Sequence, residues 1–350
     1  MPSPQEKLAS ALGAVKTLQE RGFQAIPGTG LSRADREALL RAGFLKEVIR
    51  GWYIPSRPDE AEGDTTAWYA RMREFVAGYA QQRFGDRWHL NPEQSLRERV
   101  IAAFPPALGA PADIDALLKD VEARFVTDAY HSLSIEGYRV SAALIEKVRD
   151  GNWKPDANEK DRAARDAMAA RGYFETHNLV KGDLVRAIRG ENPGTVFRQG
   201  LPRWYQALFS PSVQAGILKP ADLAGYRNDQ VFIRGALHVP LSKEAVRECM
   251  PVLFELLEAE TEPSVRAVLG HFVFVYIHPY MDGNGRLGRF LMNLMLASAG
   301  YVWTVIPVEQ RTEYMKALEQ ASSFGNVAPF ADFVAGLAQA QSTAPLPSPR

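Results

Sequence analysis

Two apolar stretches with helical spacing, VRAVLGHFVFVYI (residues 265–277) and RFLMNLMLASAG (residues 289–300), lie on either side of a short polar segment rich in glycine. Each is shorter than the ~18 apolar residues that a membrane-spanning helix needs, so we expect both to be helices of a soluble protein. From residue 114 onward nearly the whole chain has helical patterning, and residues 230–240 are the one β-prone interruption. The sequence therefore predicts a mainly α-helical fold.

The helices predicted after residue 114 are separated by short polar or glycine-containing breaks. They cover residues 117–132, 141–150, 156–177, 181–189, 202–209, 243–260, 264–277, 286–299 and 312–321. Within the β-prone interruption, QVFIR and LHVP flank Gly235. Two such runs around a glycine predict a β-hairpin.

The N-terminal region has a different pattern. Helical spacing over residues 4–21 and 32–43 precedes GFLKEVIRGWYIP (residues 43–55), where two β-prone runs flank a polar turn. Helices followed by a small hairpin suggest a winged helix-turn-helix. We therefore divide the chain into a winged-helix-like domain (residues 1–62), a helical connector (63–115), a helical domain (116–340) and a disordered Pro/Ser-rich tail (341–350).

Charge and cysteine content narrow the range of partners. Lys and Arg number 41, as do Asp and Glu, and the resulting net charge of zero excludes a generally basic nucleic-acid coat but not a local basic patch. The single cysteine, Cys249, cannot form an internal disulfide, which fits a reducing compartment. The first residues also lack the positive region and apolar run of a secretory signal. We expect a cytoplasmic protein that makes no membrane contact.

The segment between the two apolar helices, HPYMDGNGRLGR (residues 278–289), combines groups that suit phosphate chemistry. A Gly-rich loop that opens a helix binds anions, because free N–H groups and the positive helix end point at the ligand. Arg286 and Arg289 project from nearly the same helix face and can grip two phosphates. Asp282 offers Mg²⁺ a hard oxygen, and His278 titrates near neutral pH and can take a proton from a hydroxyl.

This segment resembles the signature of the Fic (Fic/DOC) family, His-x-Phe-x-(Asp/Glu)-Gly-Asn-Gly-Arg-x-x-Arg, with Tyr280 where Phe is usual. The resemblance implies a Fic-type helical bundle that transfers AMP from ATP to a Tyr, Ser or Thr hydroxyl of a target protein or of the chain itself. It implies the following roles: His278 as general base, Asp282 as Mg²⁺ ligand, Asn284 with the Gly283 and Gly285 backbone around the α- and β-phosphates, Arg286 on the leaving β-phosphate, and Arg289 on the γ-phosphate.

A second segment, Ser132-Leu-Ser-Ile-Glu136-Gly137, resembles the inhibitory motif of the family, (Ser/Thr)-x-x-x-Glu-(Gly/Asn). The resemblance implies that Glu136 pairs with Arg289 and takes the partner of the γ-phosphate. From the residues alone, the same letters also fit a helix end with glycine as its C-cap. The resemblance leaves open the reverse reaction, removal of AMP, in which Glu136 would position a water.

Residues 225–240 resemble the flap of the family, a hairpin that aligns an extended target segment through strand-like contacts. The candidate target-docking residues are Gln230, Val231, Phe232, Ile233 and Gly235. Further along, RTEYMKAL (residues 311–318) resembles a helix that often carries a Tyr-Tyr pair. Here the pair is Tyr314-Met315, which leaves the preference for the nucleobase open.

An alternative function follows from the N-terminal region, which loosely resembles the winged-helix part of AbiEi-like antitoxins and transcriptional regulators. In this alternative the chain is a DNA-binding regulator with a nucleotide-sensing Fic-like domain, and Arg33, Arg36 and Arg41 contact DNA. The net charge of zero argues against DNA binding as the main task, because counterion release needs clustered cations. A nucleotide sensor also has no need of a base such as His278. Whether the chain forms a homodimer stays open.

Overall fold

The computed structural model describes residues 4–21, 23, 25–49, 51–56, 96–152, 161–233 and 236–343. The chain divides into two compact units, Met1–Asp86 and Arg87–Arg350. The described residues are mainly helical, which confirms the predicted fold class. The predicted boundary at residue 62 lies outside the described residues, so the four-part division of the chain stays a prediction.

The described residues of the first unit form two helices and a small antiparallel sheet with the strand order β1–β3–β2. Its elements are α1 (Pro4–Glu20), β1 (Ile26–Pro27), α2 (Arg33–Arg41), β2 (Leu45–Ile49) and β3 (Trp52–Pro55). Ser32 caps α2 by accepting the backbone N–H of Asp35 at 3.1 Å. The helices and the β2–β3 hairpin lie where the sequence predicts them, whereas the two-residue strand β1 was not predicted. The winged-helix assignment itself stays a prediction.

Two of the three arginines considered for DNA contact are used inside this unit. Arg33 donates to Glu37 at 2.8 Å. Arg36 donates to the Gly28 carbonyl at 2.8 Å, and its guanidinium lies 5.9 Å from the ring centroid of Tyr53. Arg33 and Arg36 therefore have partners within the unit, and DNA contact by the three arginines stays a prediction.

The second unit contains the remaining described helices. They are α3 (Leu96–Ala103), α4 (Ile114–Ile135), α5 (Ala142–Arg149), α6 (Asp161–Ile188), α7 (Pro193–Gln214), α8 (Lys243–Ala259), α9 (Pro263–Ile277), α10 (Asn284–Ala297), α11 (Arg311–Phe324) and α12 (Ala328–Thr343). Within the described parts of the chain, no helix is both long and apolar enough to cross a membrane. Cys249, in α8, is buried and free.

The centre of this unit is the pair α9 and α10, which pack along each other and are buried over nearly their whole length. Helices α6 and α7 form a second closely packed pair. A Cβ on Gly172 of α6 would come within 2.0 Å of the Leu208 carbonyl oxygen of α7, so only glycine permits this approach. The two pairs form the core that holds the polar segment of residues 278–289.

Three features differ from the sequence expectations. Residues 156–177 and 181–189 were predicted as separate helices, but α6 runs unbroken from Asp161 to Ile188. The described residues 230–233 and 236–240 form no strand, so the predicted β-hairpin is not seen there, and the Gln230 side chain instead donates to the Pro240 carbonyl at 2.9 Å. The predicted tail begins too early, since α12 continues through Thr343 and buried Gln341 exchanges hydrogen bonds of 2.9 and 2.7 Å with the Val305 backbone.

Buried histidines make the stability of this unit depend on pH. His177, in α6, lies 4.8 Å from the ring of Phe125 and 5.5 Å from that of Trp303, measured between centroids. Among the described residues, neither ring nitrogen of His177 has a hydrogen-bond partner. Burial, followed by the charge of Lys181, lowers the pKa of His177 to about 3. Burial also lowers the pKa of His271 to about 3.

We expect the free energy of unfolding to fall as the pH is lowered below about 6.5. Below that pH the unfolded chain takes up protons that the folded chain refuses until about pH 3, so each such histidine costs about 2 kcal/mol at pH 5. Asp128 acts in the opposite direction below pH 6, because burial raises its pKa to about 6. Urea unfolding of the parent and His177→Phe at pH 7 and pH 5 measures the effect of one histidine. The variant should lose about 2 kcal/mol less than the parent, and equal losses would contradict this explanation.

Candidate active site

A tight loop joins α9 to α10. Helix α9 ends at Ile277, and His278 follows in the left-handed region with φ of 55°, the one positive φ among the described residues other than glycine. Gly283 ends the loop with φ of 85°, and a Cβ at this position would lie 2.9 Å from the Phe209 ring, so glycine is required. The loop therefore brings His278 near the start of α10, where the first N–H groups have no partner within the helix.

Asn284 fixes the shape of this loop. Its side-chain oxygen accepts the Tyr280 N–H at 2.9 Å, and its side-chain nitrogen donates to the Tyr280 carbonyl at 2.8 Å. The Asn284 side chain therefore shapes the loop in this structure, and its implied role around the α- and β-phosphates stays a prediction. The Tyr280 ring is buried and stacks on Tyr205 with centroids 3.8 Å apart.

The His278 ring is oriented by a backbone carbonyl. Its Nδ1 lies 3.3 Å from the Val275 carbonyl oxygen, which can only accept, so Nδ1 carries the proton and Nε2 keeps its lone pair. Burial, with a smaller contribution from the positive charge of Arg227, lowers the pKa of His278 from its usual near-neutral value to about 4, although the Val275 hydrogen bond works in the opposite direction. At neutral pH the ring is thus an unprotonated base.

Arg286 is fully buried between two aromatic rings. Its guanidinium carbon lies 5.0 Å from the ring centroid of Tyr138 and 5.1 Å from that of Phe209. Nη2 is 3.2 Å from Oδ2 of Asp282, an ion pair whose alignment does not meet hydrogen-bond geometry. Burial works to lower the pKa of Arg286, but Asp282 leads the negative groups that raise it overall. The rings hold a charged group with donors still to be satisfied.

Arg289 is held by the end of α4. Its Nε donates to the Ser132 hydroxyl at 2.8 Å, and its Nη2 donates to the Ser132 carbonyl at 3.0 Å and to Oε1 of Glu136 at 2.7 Å. Burial opposes the charge, but Glu136 outweighs it and raises the pKa of Arg289. The two residues that the inhibitory motif singles out are thus the partners of the last arginine of the 278–289 segment.

The Glu136 carboxylate also lies against the start of α10. A Cβ on Gly285 would come within 2.2 Å of Oε1 of Glu136 and 3.2 Å of Nη1 of Arg289. Glycine at this position therefore makes room for the carboxylate. Glu136 occupies the space beside the first turn of α10, where an anion would be bound.

The match to a family model identifies the protein family of the residues that contain this loop. The model of the Fic/DOC family matches residues 201–296, which include the loop and most of α10. These residues form a Fic/DOC domain. The resemblance deduced from the segment 278–289 is thereby confirmed.

Curated relatives of the domain carry the name "Protein adenylyltransferase Fic". The relative from Nematostella vectensis is 37% identical over 247 residues, which are 69% of this chain and 54% of the relative. The relative from Drosophila virilis is 36% identical over 251 residues, which are 69% of this chain and 46% of the relative. This chain therefore spans about half the length of the curated relatives it matches.

Solved structures with the same fold include two from distant organisms. Fic-1 from C. elegans has a TM-score of 0.53 at 18% identity and covers 98% of this chain and 87% of its own. A Fic domain containing signaling protein from Bacteroides thetaiotaomicron has a TM-score of 0.52 at 17% identity and covers 77% of this chain and 94% of its own. At these identities the likeness establishes the fold alone.

A cavity of about 570 Å³ opens onto the Fic domain loop. His278, Gly285, Arg289 and Glu136 line one part of it, and Tyr314 and Met315 of α11 line another. Its volume suits a small organic ligand. Met315 stands where the family often has a second tyrosine, and its side of α11 faces this cavity.

The flap lies at the rim of the same cavity. Ile233 lines it, together with Ala236 and His238, whereas Phe232 is 76% exposed. The Gln230 side chain donates to the Pro240 carbonyl and so joins the two arms of the flap, and the neighbouring Val231 is half-buried. Gly235 lies outside the described residues.

The surroundings of Asp282 suit a metal ion that binds together with a phosphate substrate, and they do not form a complete metal site on their own. Its side chain is 52% exposed, its Oδ1 accepts the Gly283 N–H at 2.6 Å, and its Oδ2 is within 3.5 Å of the Tyr138 hydroxyl. In the described part of the chain, no group of three or more His, Cys, Asp or Glu residues could hold a metal ion. Mg²⁺ usually binds one or two carboxylates together with water and substrate phosphates, and this single exposed carboxylate suits that mode.

The sequence analysis did not identify several residues that the structure places at the site. Tyr138 and Phe209 enclose Arg286, and Arg227 donates to the His278 carbonyl at 2.7 Å. Tyr138 directly follows the inhibitory motif, which is a weak signal. The other two have no local pattern that distinguishes them, because only the folded helices bring them to the loop.

Proposed function

We propose that this chain is a protein adenylyltransferase that transfers AMP from ATP to a hydroxyl side chain of a target protein. The observation that carries the proposal is the unprotonated Nε2 of His278 in the loop that also leads into α10 and its two buried arginines. A base next to an anion-binding helix start is what a hydroxyl attacking a phosphate needs. The names of the curated relatives support the same activity.

In the proposed reaction, Nε2 of His278 takes the proton from the target hydroxyl. The hydroxyl oxygen attacks the α-phosphorus of ATP, a new oxygen–phosphorus bond forms, and the bond to the bridging oxygen of the β-phosphate breaks, so that pyrophosphate leaves. The N–H groups at the start of α10 hold the phosphates, and Arg286 stabilises the charge that develops on the leaving group. The aromatic rings around Arg286 keep it in place before the nucleotide arrives.

Asp282 would hold Mg²⁺ together with the phosphates. When bound, the ion supplies positive charge that neutralises the phosphate oxygens. The role of Asp282 in the chain itself is to pair with Arg286 and to accept the Gly283 N–H, so it also orients the loop. The cavity wall at Met315 would face the nucleobase, and methionine can adapt to it.

We also propose that the chain inhibits itself. Arg289 cannot hold the Glu136 carboxylate and a γ-phosphate in the same geometry, because its planar fork binds one anion at a time. The pair at 2.7 Å therefore leaves ATP to bind through other contacts with its α-phosphate misaligned. Because Glu136 also lines the cavity with His278, it could position a water for removal of AMP, and Glu136→Gly should then weaken that reverse reaction.

The position of the label within ATP tests the reaction type. Glu136→Gly chain is incubated with lysate and either α-labelled or γ-labelled ATP, and labelled proteins are identified by mass. The proposal predicts protein label from the α-phosphate and none from the γ-phosphate. Label from the γ-phosphate would instead indicate phosphoryl transfer, and the double variant Glu136→Gly with His278→Ala serves as the control for other enzymes in the lysate.

Replacing Arg286 with alanine should lower transfer by about 10²-fold or more, the usual effect of removing one preorganised donor from developing charge. The loss should appear in kcat, because the α10 N–H groups still hold the nucleotide. Exposed Arg139, one residue after the ring of Tyr138, provides the matched control as Arg139→Ala. Parental kcat in Arg286→Ala would show that another group stabilises the leaving pyrophosphate.

A further inference from the structure

Arg227 is a buried cation for which the proposed reaction gives no direct use. It lies at the start of the flap, and 2% of its surface is exposed. Among the described residues it forms no ion pair within 4.0 Å; instead its guanidinium donates to backbone carbonyls. Nε donates to the His278 carbonyl at 2.7 Å, Nη1 to that of Asp229 at 2.9 Å, and Nη2 to that of Leu241.

These three carbonyls belong to three different parts of the site. His278 belongs to the loop after α9, Asp229 lies in the first part of the flap, and Leu241 directly follows the end of the flap. The backbone N–H of Arg227 adds a fourth contact, to the Pro279 carbonyl at 2.9 Å. One side chain thus joins both ends of the flap to the residue that carries the base.

The contact with His278 is placed where its backbone most needs support. His278 has a φ of 55°, a conformation that residues with a Cβ rarely adopt without an external constraint. Arg227 binds the His278 carbonyl, while the ring is held separately by the Val275 carbonyl. Together the two contacts fix both the backbone and the ring of the base.

We propose that Arg227 is a positioning residue that fixes the placement of His278 and makes it depend on the two ends of the flap. A target segment that binds the flap would then act on the base through this guanidinium. Only arginine suits the position, because its planar group donates in several fixed directions, whereas lysine has a single nitrogen. This inference rests on the proposed transfer of AMP.

The kinetic test uses the full chain with Glu136→Gly, to which Arg227→Lys or Arg227→Gln is added. Transfer from α-labelled ATP onto the chain itself should fall about 10²-fold in kcat for both variants, with little change in KM for ATP, because the start of α10 is untouched. The matched control is Arg247→Gln, an exposed arginine that donates to Asn228 at the same end of the flap. Parental kcat in folded Arg227→Lys would overturn the proposal.

A second readout does not depend on catalysis. The charged groups that act on His278 are Arg227, Glu136 and His238, and Arg227 lowers its pKa. For this readout the two substitutions are made in the parent chain, which keeps Glu136, and the variants are titrated by NMR. Arg227→Gln should raise the pKa of His278, whereas Arg227→Lys should keep that pKa low but change the chemical shifts of the His278 ring. An unmoved His278 signal in both variants would show that Arg227 only supports the fold.

The two hypotheses fail in different ways. If Glu136→Gly alone transfers no label, the proposed function fails, while the titration of His278 still tests the contact with Arg227. If neither arginine variant folds, the parent chain provides the measurement. The Nε–H of Arg227 should be protected from solvent exchange and show a coupling through the hydrogen bond to the His278 carbonyl carbon, and rapid exchange without that coupling would contradict the placement of Arg227.

Discussion

Glycine in place of Glu136 is expected to raise transfer of AMP, including transfer onto the chain itself, by about 10²-fold. The physical reason is the 2.7 Å contact between Oε1 of Glu136 and Nη2 of Arg289, which occupies the arginine that would hold the γ-phosphate. With the carboxylate gone, Arg289 keeps its contacts with Ser132 and can bind the nucleotide. Label incorporated from α-labelled ATP at equal protein concentration measures the change.

Glu136→Gln is the matched control for this prediction. It keeps the size of the side chain but removes the charge, so it should weaken the contact with Arg289 and give an intermediate rate. Addition of His278→Ala to Glu136→Gly should abolish the label. Glu136→Gly no more active than the parent would return residues 132–137 to the role of an ordinary helix end.

Alanine in place of His278 is expected to lower transfer by about 10²- to 10⁴-fold, the effect of losing a general base. The Nδ1 contact with the Val275 carbonyl leaves Nε2 as the acceptor, and His278 is the one imidazole in the 278–289 segment. Binding of ATP should be nearly unchanged, because the start of α10 is intact. Rate and nucleotide affinity are measured separately, by label transfer and by calorimetry.

The pH dependence of the rate provides the accompanying check. The pKa of His278 is lowered to about 4, so the base stays unprotonated through neutral pH and is lost only as the pH falls towards 4. Protonation of the base should therefore not lower the rate of transfer between about pH 8 and about pH 6. Equal rates for His278→Ala and its parent, or an acid limb near pH 6.5, would contradict the assignment of the base.

Much of the site can be predicted from the sequence, because its groups are close together along the chain. The segment 278–289 places a base, a carboxylate and two arginines on one loop and one helix turn, so local spacing already predicts their meeting. The motif at residues 132–137 adds the partner of Arg289, which the structure places at 2.7 Å. Asn284 differs, since letters alone do not reveal that its amide turns back onto Tyr280.

The parts that could not be predicted depend on contacts between distant segments. Phe209 on α7 and Tyr138 after α4 meet around Arg286 only when the helices pack. Helix α6 runs through the break predicted after residue 177, because tertiary packing outweighs local propensity and Val180, within that break, is fully buried. Gln341 shows the same effect at the end of the chain, where hydrogen bonds to Val305 extend α12 into the predicted tail.

The intact mass of the Glu136→Gly chain after incubation with ATP and Mg²⁺ tests the central claim most directly. The account predicts a gain of at least one adenylyl group per chain, and no such gain when His278→Ala is also present. No gain in either chain, a gain of phosphate alone, or the same adenylyl gain in both would contradict it.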